Sequence, residues 1–270
     1  MRPAIINIMD GAARKAARSL IHDFNEVEHL QVSRKGPADF VSEADRRAES
    51  ILKRELASAH PEFSLLMEES GLLGDPNSDD QWIVDPLDGT TNFLHAIPHF
   101  AISIAHLHKG EIQEGIIFDP LREEVFWATK GQGAYLNNQR LRVSARTKLQ
   151  EAVLATGIPF KGRKGKHEMI SVLPTIMDHT AGIRRFGSAA LDLAYVAAGR
   201  YEGFWEFGLS PWDIAAGILL VREAGGLVSE VDGRNDPLNG PSILATNSLL
   251  FDPIGRLLRS GLKNKTPPTP

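Results

Sequence analysis

The sequence predicts an α+β fold made of two subdomains, residues 1–145 and 146–262, that meet around one cleft, with residues 263–270 as a disordered tail. Three observations carry this expectation. The chain opens with two stretches of helical periodicity. From Phe63 onward short apolar runs follow one another with turn residues between them. Past residue 145 helical and strand-like segments alternate.

The first helix is read from Ile5, Ile8, Met9, Ala12, Ala16 and Leu20, which share one face. The second starts at Ser42. There Ser42-Glu43-Ala44-Asp45 forms a capping box with Asp in the third place, Ala48, Ile51, Leu52 and Leu56 make the apolar face, and His60-Pro61 stops the helix. Ser64 to Met67 and Trp82 to Val84 are short strands that end in carboxylates. Ala101 to His108 and Glu111 to Phe118 form a hairpin at Lys109-Gly110. Glu124 to Ala128 and the segment around Tyr135 and Leu141, with a turn at Asn137-Asn138, continue an antiparallel meander.

In the second half a helix covers His167 to Met177, and a short strand precedes Gly187. Ser188 caps a helix that runs to Gly199. Tyr201 to Phe207 is a strand, and Pro211-Trp212-Asp213 opens a helix ending at Gly225-Gly226. Strands at Leu227 to Val231 and Ile243 to Ala245 and a helix at Ile254 to Gly261 complete the chain.

Composition narrows the functional classes. With 30 Lys+Arg against 34 Asp+Glu the formal net charge is -4, so the chain is no strongly basic nucleic-acid binder, and no direct nucleic-acid contact is expected. The absence of cysteine removes disulfides, thiolate nucleophiles and Cys-based zinc sites, leaving oxygen or histidine to hold any metal. No apolar run reaches the roughly 18 to 20 residues of a membrane span, and the N-terminal apolar run is too short for a signal peptide. A cytoplasmic protein with no membrane partner is the expectation.

The chemistry concentrates in Met67-Glu68-Glu69-Ser70 and in Trp82-Ile83-Val84-Asp85-Pro86-Leu87-Asp88-Gly89-Thr90-Thr91-Asn92. Each carboxylate cluster follows an apolar run directly, where desolvation makes its charge expensive unless something positive compensates it. No Lys or Arg lies between Glu68 and Asp88, so a bound cation is the natural compensation, and all-oxygen ligands favour Mg²⁺, Ca²⁺ or Mn²⁺ over zinc. Pro86 stiffens a turn that can aim two carboxylates and the Leu87 carbonyl at one point. Gly89 allows close backbone approach, and Thr90 and Thr91 offer hydroxyls and N–H groups to an anion. Cations beside an anion cradle describe a phosphate-ester site. The Asp-x-Asp-x-Thr string of haloacid-dehalogenase phosphatases, with its aspartyl nucleophile, is one residue shorter than the Asp-x-x-Asp-Gly-Thr found here. Asp213 in Gly208-Leu209-Ser210-Pro211-Trp212-Asp213 is placed at a helix start, where the dipole favours a carboxylate.

Trp82 to Asn92 and Trp212-Asp213-Ile214-Ala215-Ala216-Gly217 resemble the two signatures of the inositol monophosphatase family, most closely its bacterial SuhB-type members, and the resemblance runs from about Ile5 to Leu258. It implies the layered αβαβα sandwich of the inositol monophosphatase/fructose-bisphosphatase superfamily and Mg²⁺-dependent phosphomonoester hydrolysis with two or three ions per active site. It implies Glu68, Asp85 and the Leu87 carbonyl as ligands of a first metal. Asp85, Asp88 and Asp213 would hold a second, and Glu68 would reach a third through water. Gly89 and Thr90 would contact phosphate, and Thr90 with Asp45 would help activate the attacking water. Glu206, Ala189 and Asp213 would meet the substrate, Glu206 through inositol hydroxyls and Ala189 by packing beside the ring.

The resulting expectation is an inositol-1-monophosphatase that uses metal-activated water and forms no phosphoenzyme. Lithium sensitivity and a homodimer come with the resemblance. Two competing readings stand beside it. One keeps the chemistry and changes the substrate to fructose 1,6-bisphosphate, 3'-phosphoadenosine 5'-phosphate or histidinol phosphate, with Glu206 favouring a small phosphorylated polyol. The other is a partner in transcription and ribosomal-RNA synthesis complexes whose activity is incidental.

Overall fold

The computed structural model describes residues 2–26, 32–36, 39–159, 162 and 164–263, with the backbone path alone for 32–36 and 39–42. Helices α1 (Ala4–Asn25) and α2 (Glu43–Ala59) pack against each other, with a two-stranded hairpin, β1 (Val32–Gly36) and β2 (Asp39–Ser42), between them in sequence. Their facing surfaces are rich in alanine. Ala12, Ala13, Ala16 and Ala17 meet the side of α2 that carries Ala44, Ala48, Leu52 and Leu56, all buried. Small side chains let the two axes approach closely, and the longer residues fill the space toward the sheet beneath.

That sheet has eight strands: β3 (Ser64–Met67), β4 (Gly71–Leu73), β5 (Asp80–Asp88), β6 (Ala101–His108), β7 (Glu111–Asp119), β8 (Glu124–Thr129), β9 (Gly133–Leu136) and β10 (Gln139–Arg140). Their order is β10-β9-β8-β7-β6-β5-β3-β4. A short helix, α3 (Thr90–Leu94), leaves the end of β5. The second sheet contains β11 (Val153–Thr156), β12 (Gly182–Arg184), β13 (Gly203–Phe207), β14 (Gly226–Ser229) and β15 (Ser242–Asn247), ordered β12-β11-β13-β15-β14. Helices α5 (Ala189–Ala197) and α6 (Pro211–Glu223) lie between the two sheets and touch both. Helices α4 (Lys166–Met177) and α7 (Phe251–Lys263) cover the outer face of the smaller sheet. The layers are therefore helix pair, sheet, helix pair, sheet, helix pair, which is the αβαβα sandwich.

The layering explains the sequence texture. Every residue of α5 is buried, and α6 is buried from Asp213 to Val221, because both helices have a sheet on each side. Such helices lose the amphipathic stripe that marks surface helices. Gly217 has a packing reason: a Cβ there would lie 2.4 Å from a methyl carbon of Leu193 across the α5–α6 contact.

Two expectations need correction. The first sheet is not a pure antiparallel meander, because β3 runs parallel to β5 with Leu66 opposite Ile83. The chain between the two strands makes this possible: it turns back through β4 on the outer edge of β3 and then returns to enter β5. Strand β5 is also longer than Trp82 to Val84. It begins at Asp80 and continues through Pro86 to Asp88, where register with β6 jumps from Asp85 opposite Ser103 to Asp88 opposite Ala101. Three steps along one strand against two along its partner is a β-bulge. Strand β4, the β1–β2 hairpin and helix α3 add elements to those expected, and Leu141 lies just beyond β10. The tail is expected to be disordered from Lys263, but Lys263 is the last residue of α7; residues 264–270 lie outside the described residues. Among the described residues no helix is long and apolar enough to cross a membrane.

Candidate active site

The bulge in β5 sets the geometry of the site. In a regular strand residues three apart point to opposite faces. The extra residue at Pro86-Leu87 cancels that alternation, and Pro86 has no N–H for the ladder to lose. Asp85 and Asp88 consequently line the same cleft. The Leu87 N–H donates to Asp85 Oδ1 at 2.9 Å, which closes the bulge and fixes the carboxylate. Asp85 is fully buried, and its carboxyl is pushed well above the usual range, first by desolvation and then by the charges of Glu68, Asp88 and Asp213.

Two of the neighbouring carboxylates, Asp88 and Asp213, are oriented by different elements. Asp88 Oδ2 accepts from Ser188 Oγ at 2.6 Å and from Ala190 N at 2.7 Å, so the end of β5 caps the start of α5. Asp213 Oδ2 accepts from Ser210 N at 2.8 Å at the start of α6. Capping and cleft-lining are therefore combined in one residue. Glu68 sits in the turn between β3 and β4. Thr90 Oγ1 lies 3.1 Å from both Asp45 Oδ1 and the Leu87 carbonyl. A hydroxyl has one proton, so it donates to one of these acceptors at a time and keeps lone pairs for a further donor. Gly89, at φ 103°, occupies the left-handed region and precedes α3; a Cβ there would stand 3.1 Å from the His99 carbonyl. The first N–H groups of any helix lack intrahelical partners, and here Gly89, Thr90 and Thr91 line the cleft.

Glu68, Asp85, Leu87, Asp88, Gly89, Thr90, Ala189, Glu206 and Asp213 all border this cleft of about 120 Å³. Asp45 stands behind it, bonded to Thr90. Glu206 projects from β13 over Gly157, whose Cα offers the space its carboxylate fills.

Two cleft residues were not singled out from the sequence. Arg185 is the one cationic side chain lining the cleft among the described residues. Asp192 is buried on α5, and its Oδ1 has no hydrogen-bond partner. Desolvation, then the charges of Glu206 and Asp88, raise the Asp192 carboxyl well above its usual range, against the opposing effect of Arg185. The available signal was a lone carboxylate in the otherwise apolar and aromatic run Ala189 to Ala197.

The chemistry of this donor set fits a hard divalent cation. Carboxylates crowd one fully buried aspartate, and the donors are all oxygen. Among the described residues no three His, Asp or Glu side chains are already gathered at metal-ligating spacing.

The five-layer fold and the carboxylate-lined cleft belong to an enzyme of the phosphatase class. The model of the inositol monophosphatase family matches residues 3–261, and the chain belongs to that family, whose members are generally metal-dependent. The chain is 53% identical over 249 residues to the inositol-1-monophosphatase of Mesorhizobium japonicum, spanning 92% of this chain and 94% of that one. It is 46% identical to the Nus factor SuhB of Escherichia coli (strain K12), over 90% of this chain and 91% of that one. Among solved structures, the extragenic suppressor protein suhB from Bartonella henselae superposes with a TM-score of 0.93 at 52% identity, covering 96% of this chain and all of that chain.

Proposed function

We propose that the protein is a Mg²⁺-dependent inositol-1-monophosphatase that hydrolyses a phosphorylated polyol by direct attack of water, without a phosphoenzyme. The observation that carries this is the cleft itself, where Glu68, Asp88 and Asp213 surround the buried carboxylate of Asp85 beside the start of α3. The 53% identity to a protein named inositol-1-monophosphatase supports the substrate class.

Asp85, Asp88, Asp213, Glu68 and the Leu87 carbonyl would hold two or three Mg²⁺ ions. Such cations would supply Lewis acidity toward the phosphoryl oxygens and lower the pKa of water near the site. The chain's own residues do the rest. Thr90 Oγ1, hydrogen-bonded toward Asp45, accepts the proton of the attacking water as Asp45 takes its own. Gly89 and Thr90 orient the phosphate through the backbone. Glu206 accepts hydrogen bonds from polyol hydroxyls on the far wall, Ala189 packs beside the ring, and Asp213 borders the departing alkoxide, which takes a proton from solvent water as its bond to phosphorus breaks.

A homodimer in the cytoplasm and inhibition by Li⁺ belong to the same reading. The relatives named Nus factor SuhB at 45–46% identity support a second reading, a role as a partner in transcription complexes. Phosphate release from inositol 1-phosphate, fructose 1,6-bisphosphate, 3'-phosphoadenosine 5'-phosphate and histidinol phosphate, each with and without Mg²⁺, tests the assignment. Inositol 1-phosphate is expected to turn over with the highest kcat/KM, and a faster nucleotide or bisphosphate substrate would overturn it.

A further inference from the structure

Helix α2 presents two acidic side chains one turn apart, Asp45 and Glu49, and both are buried. Residues four apart on a helix share a face. Asp45 meets Thr90, as described above. Glu49 meets the turn between β3 and β4, the turn that carries Glu68. Its Oε2 accepts from Glu69 N at 2.8 Å and lies 3.4 Å from Ser70 N, while its Oε1 accepts from Ser70 Oγ in a very short contact. All three donors are neutral and all belong to the two residues after Glu68.

A charged acceptor that engages the backbone of a turn fixes the turn's path. Glu69 N belongs to the peptide unit shared with Glu68, so holding it sets the plane of that peptide and the direction in which the Glu68 side chain leaves the backbone. Four residues before Glu49, the same helix face holds the hydroxyl of Thr90. One helix face thus reaches both walls of the cleft's catalytic end, the β3–β4 turn and the segment after β5.

We propose that Glu49 is a positioning residue. By accepting from Glu69 N and from Ser70, it holds the Glu68 carboxylate at its place among the cation-binding groups. It touches neither substrate nor metal itself. The proposal rests on the reading of Glu68 as a metal ligand.

The test uses the full chain with Glu49→Ala, Glu49→Gln, Ser70→Ala, Glu68→Gln and the double variant Glu49→Ala/Glu68→Gln. Mg²⁺ binding is measured by titration calorimetry, Mg²⁺ half-saturation by turnover of inositol 1-phosphate, and folding by circular dichroism. Partners that orient a ligand from behind typically change metal affinity by about 10- to 100-fold when removed. Glu49→Ala is expected to weaken Mg²⁺ binding within that range, with KM at saturating Mg²⁺ unchanged. Glu49→Gln keeps one carbonyl oxygen for Glu69 N and is expected to restore part of the loss, and Ser70→Ala to produce a smaller one. If Glu49 acts through Glu68, the double variant binds Mg²⁺ no more weakly than Glu68→Gln alone.

Normal Mg²⁺ binding in Glu49→Ala, or losses that add fully in the double variant, would overturn the proposal while leaving Glu68 as a ligand. Normal Mg²⁺ binding in Glu68→Gln would overturn the ligand assignment and the proposal with it. Should Glu49→Ala fail to fold, Glu49→Gln and Ser70→Ala decide: folded variants with unaltered Mg²⁺ binding sink the idea.

Discussion

Replacing Gly157 by alanine separates substrate choice from chemistry in a single methyl group. Gly157 has no positive φ, so alanine meets no backbone strain there; what it meets is Glu206. An ideal Cβ would lie 2.1 Å from the Cδ and from both carboxylate oxygens of Glu206. Carbon and oxygen atoms settle no closer than about 3.5 Å without repulsion, so the carboxylate must retreat by about 1.4 Å or more. That displacement exceeds what a hydrogen bond to a substrate hydroxyl tolerates. A lost charge-assisted bond is worth about 1.5–3 kcal/mol, or roughly 10- to 150-fold in kcat/KM at about 1.4 kcal/mol per factor of ten. The assay compares kcat/KM for inositol 1-phosphate and for p-nitrophenyl phosphate, which lacks those hydroxyls, at saturating Mg²⁺. Gly157→Ala and Glu206→Gln should both depress the first substrate selectively. Equal losses on both substrates would mean that Glu206 supports the metal-binding groups instead. No loss on either would remove Glu206 from substrate recognition altogether.

Three further outcomes follow from the site and its surroundings. Excess EDTA should abolish turnover, and Mg²⁺ at about 100 times its Kd should add roughly 2.7 kcal/mol of stability, because the cation relieves the crowding around Asp85; a melting temperature indifferent to Mg²⁺ would contradict this. Borohydride trapping during turnover should leave Asp85 and Asp88 unlabelled, since the proposed reaction uses these carboxylates to hold the cation and water as the nucleophile; a labelled aspartate would restore the aspartyl-phosphate mechanism. On the opposite side of the sheet, burial opposes a charged His106, but hydrogen bonds from its two ring nitrogens to Glu114 and Asp80, at 2.8 and 2.9 Å, outweigh it and raise its pKa. A raised folded-state value gives stability that is complete below the unfolded-state pKa of about 6.5 and fades as pH climbs through the folded-state pKa. The stability gap between wild type and His106→Leu should therefore narrow from pH 6 toward alkaline pH, and a constant gap would refute the ion-pair account.

How far the sequence could be read depended on whether a feature was local. The Ala101–His108 and Glu111–Asp119 hairpin was legible because its turn and both strands are contiguous. Helix α1 was legible because one face alone meets the protein. The parallel β3–β5 pair was not, since which strand lies beside which is settled by tertiary packing and leaves no trace in a period of two. Strand β4, with three residues, is too short for any period to register.

Pro86 is the most instructive position. Within a local window it reads as the end of a strand, because proline removes a ladder donor. In the sheet it marks the bulge, the one place in β5 where a missing donor is tolerated and where the strand's alternation has to break. The stiff turn inferred for Asp85 to Asp88 and the continuing strand are the same feature seen at two scales. The carboxylate pair was therefore legible from the proline, while the strand that carries it was not.

Asp192 was missed for the opposite reason. In α5 its surroundings are apolar and aromatic in sequence, and only the contact of that helix with both sheets shows that the carboxylate is buried beside Glu206 and Asp88 rather than turned to water. A charged residue inside an all-apolar helix is costly unless the fold places something against it, and in a helix with no solvent face that cost can be relieved only from the cleft side. Reading such a residue from sequence requires knowing first that the helix is sandwiched, and the missing amphipathic stripe of α5 and α6 was the clue to that arrangement.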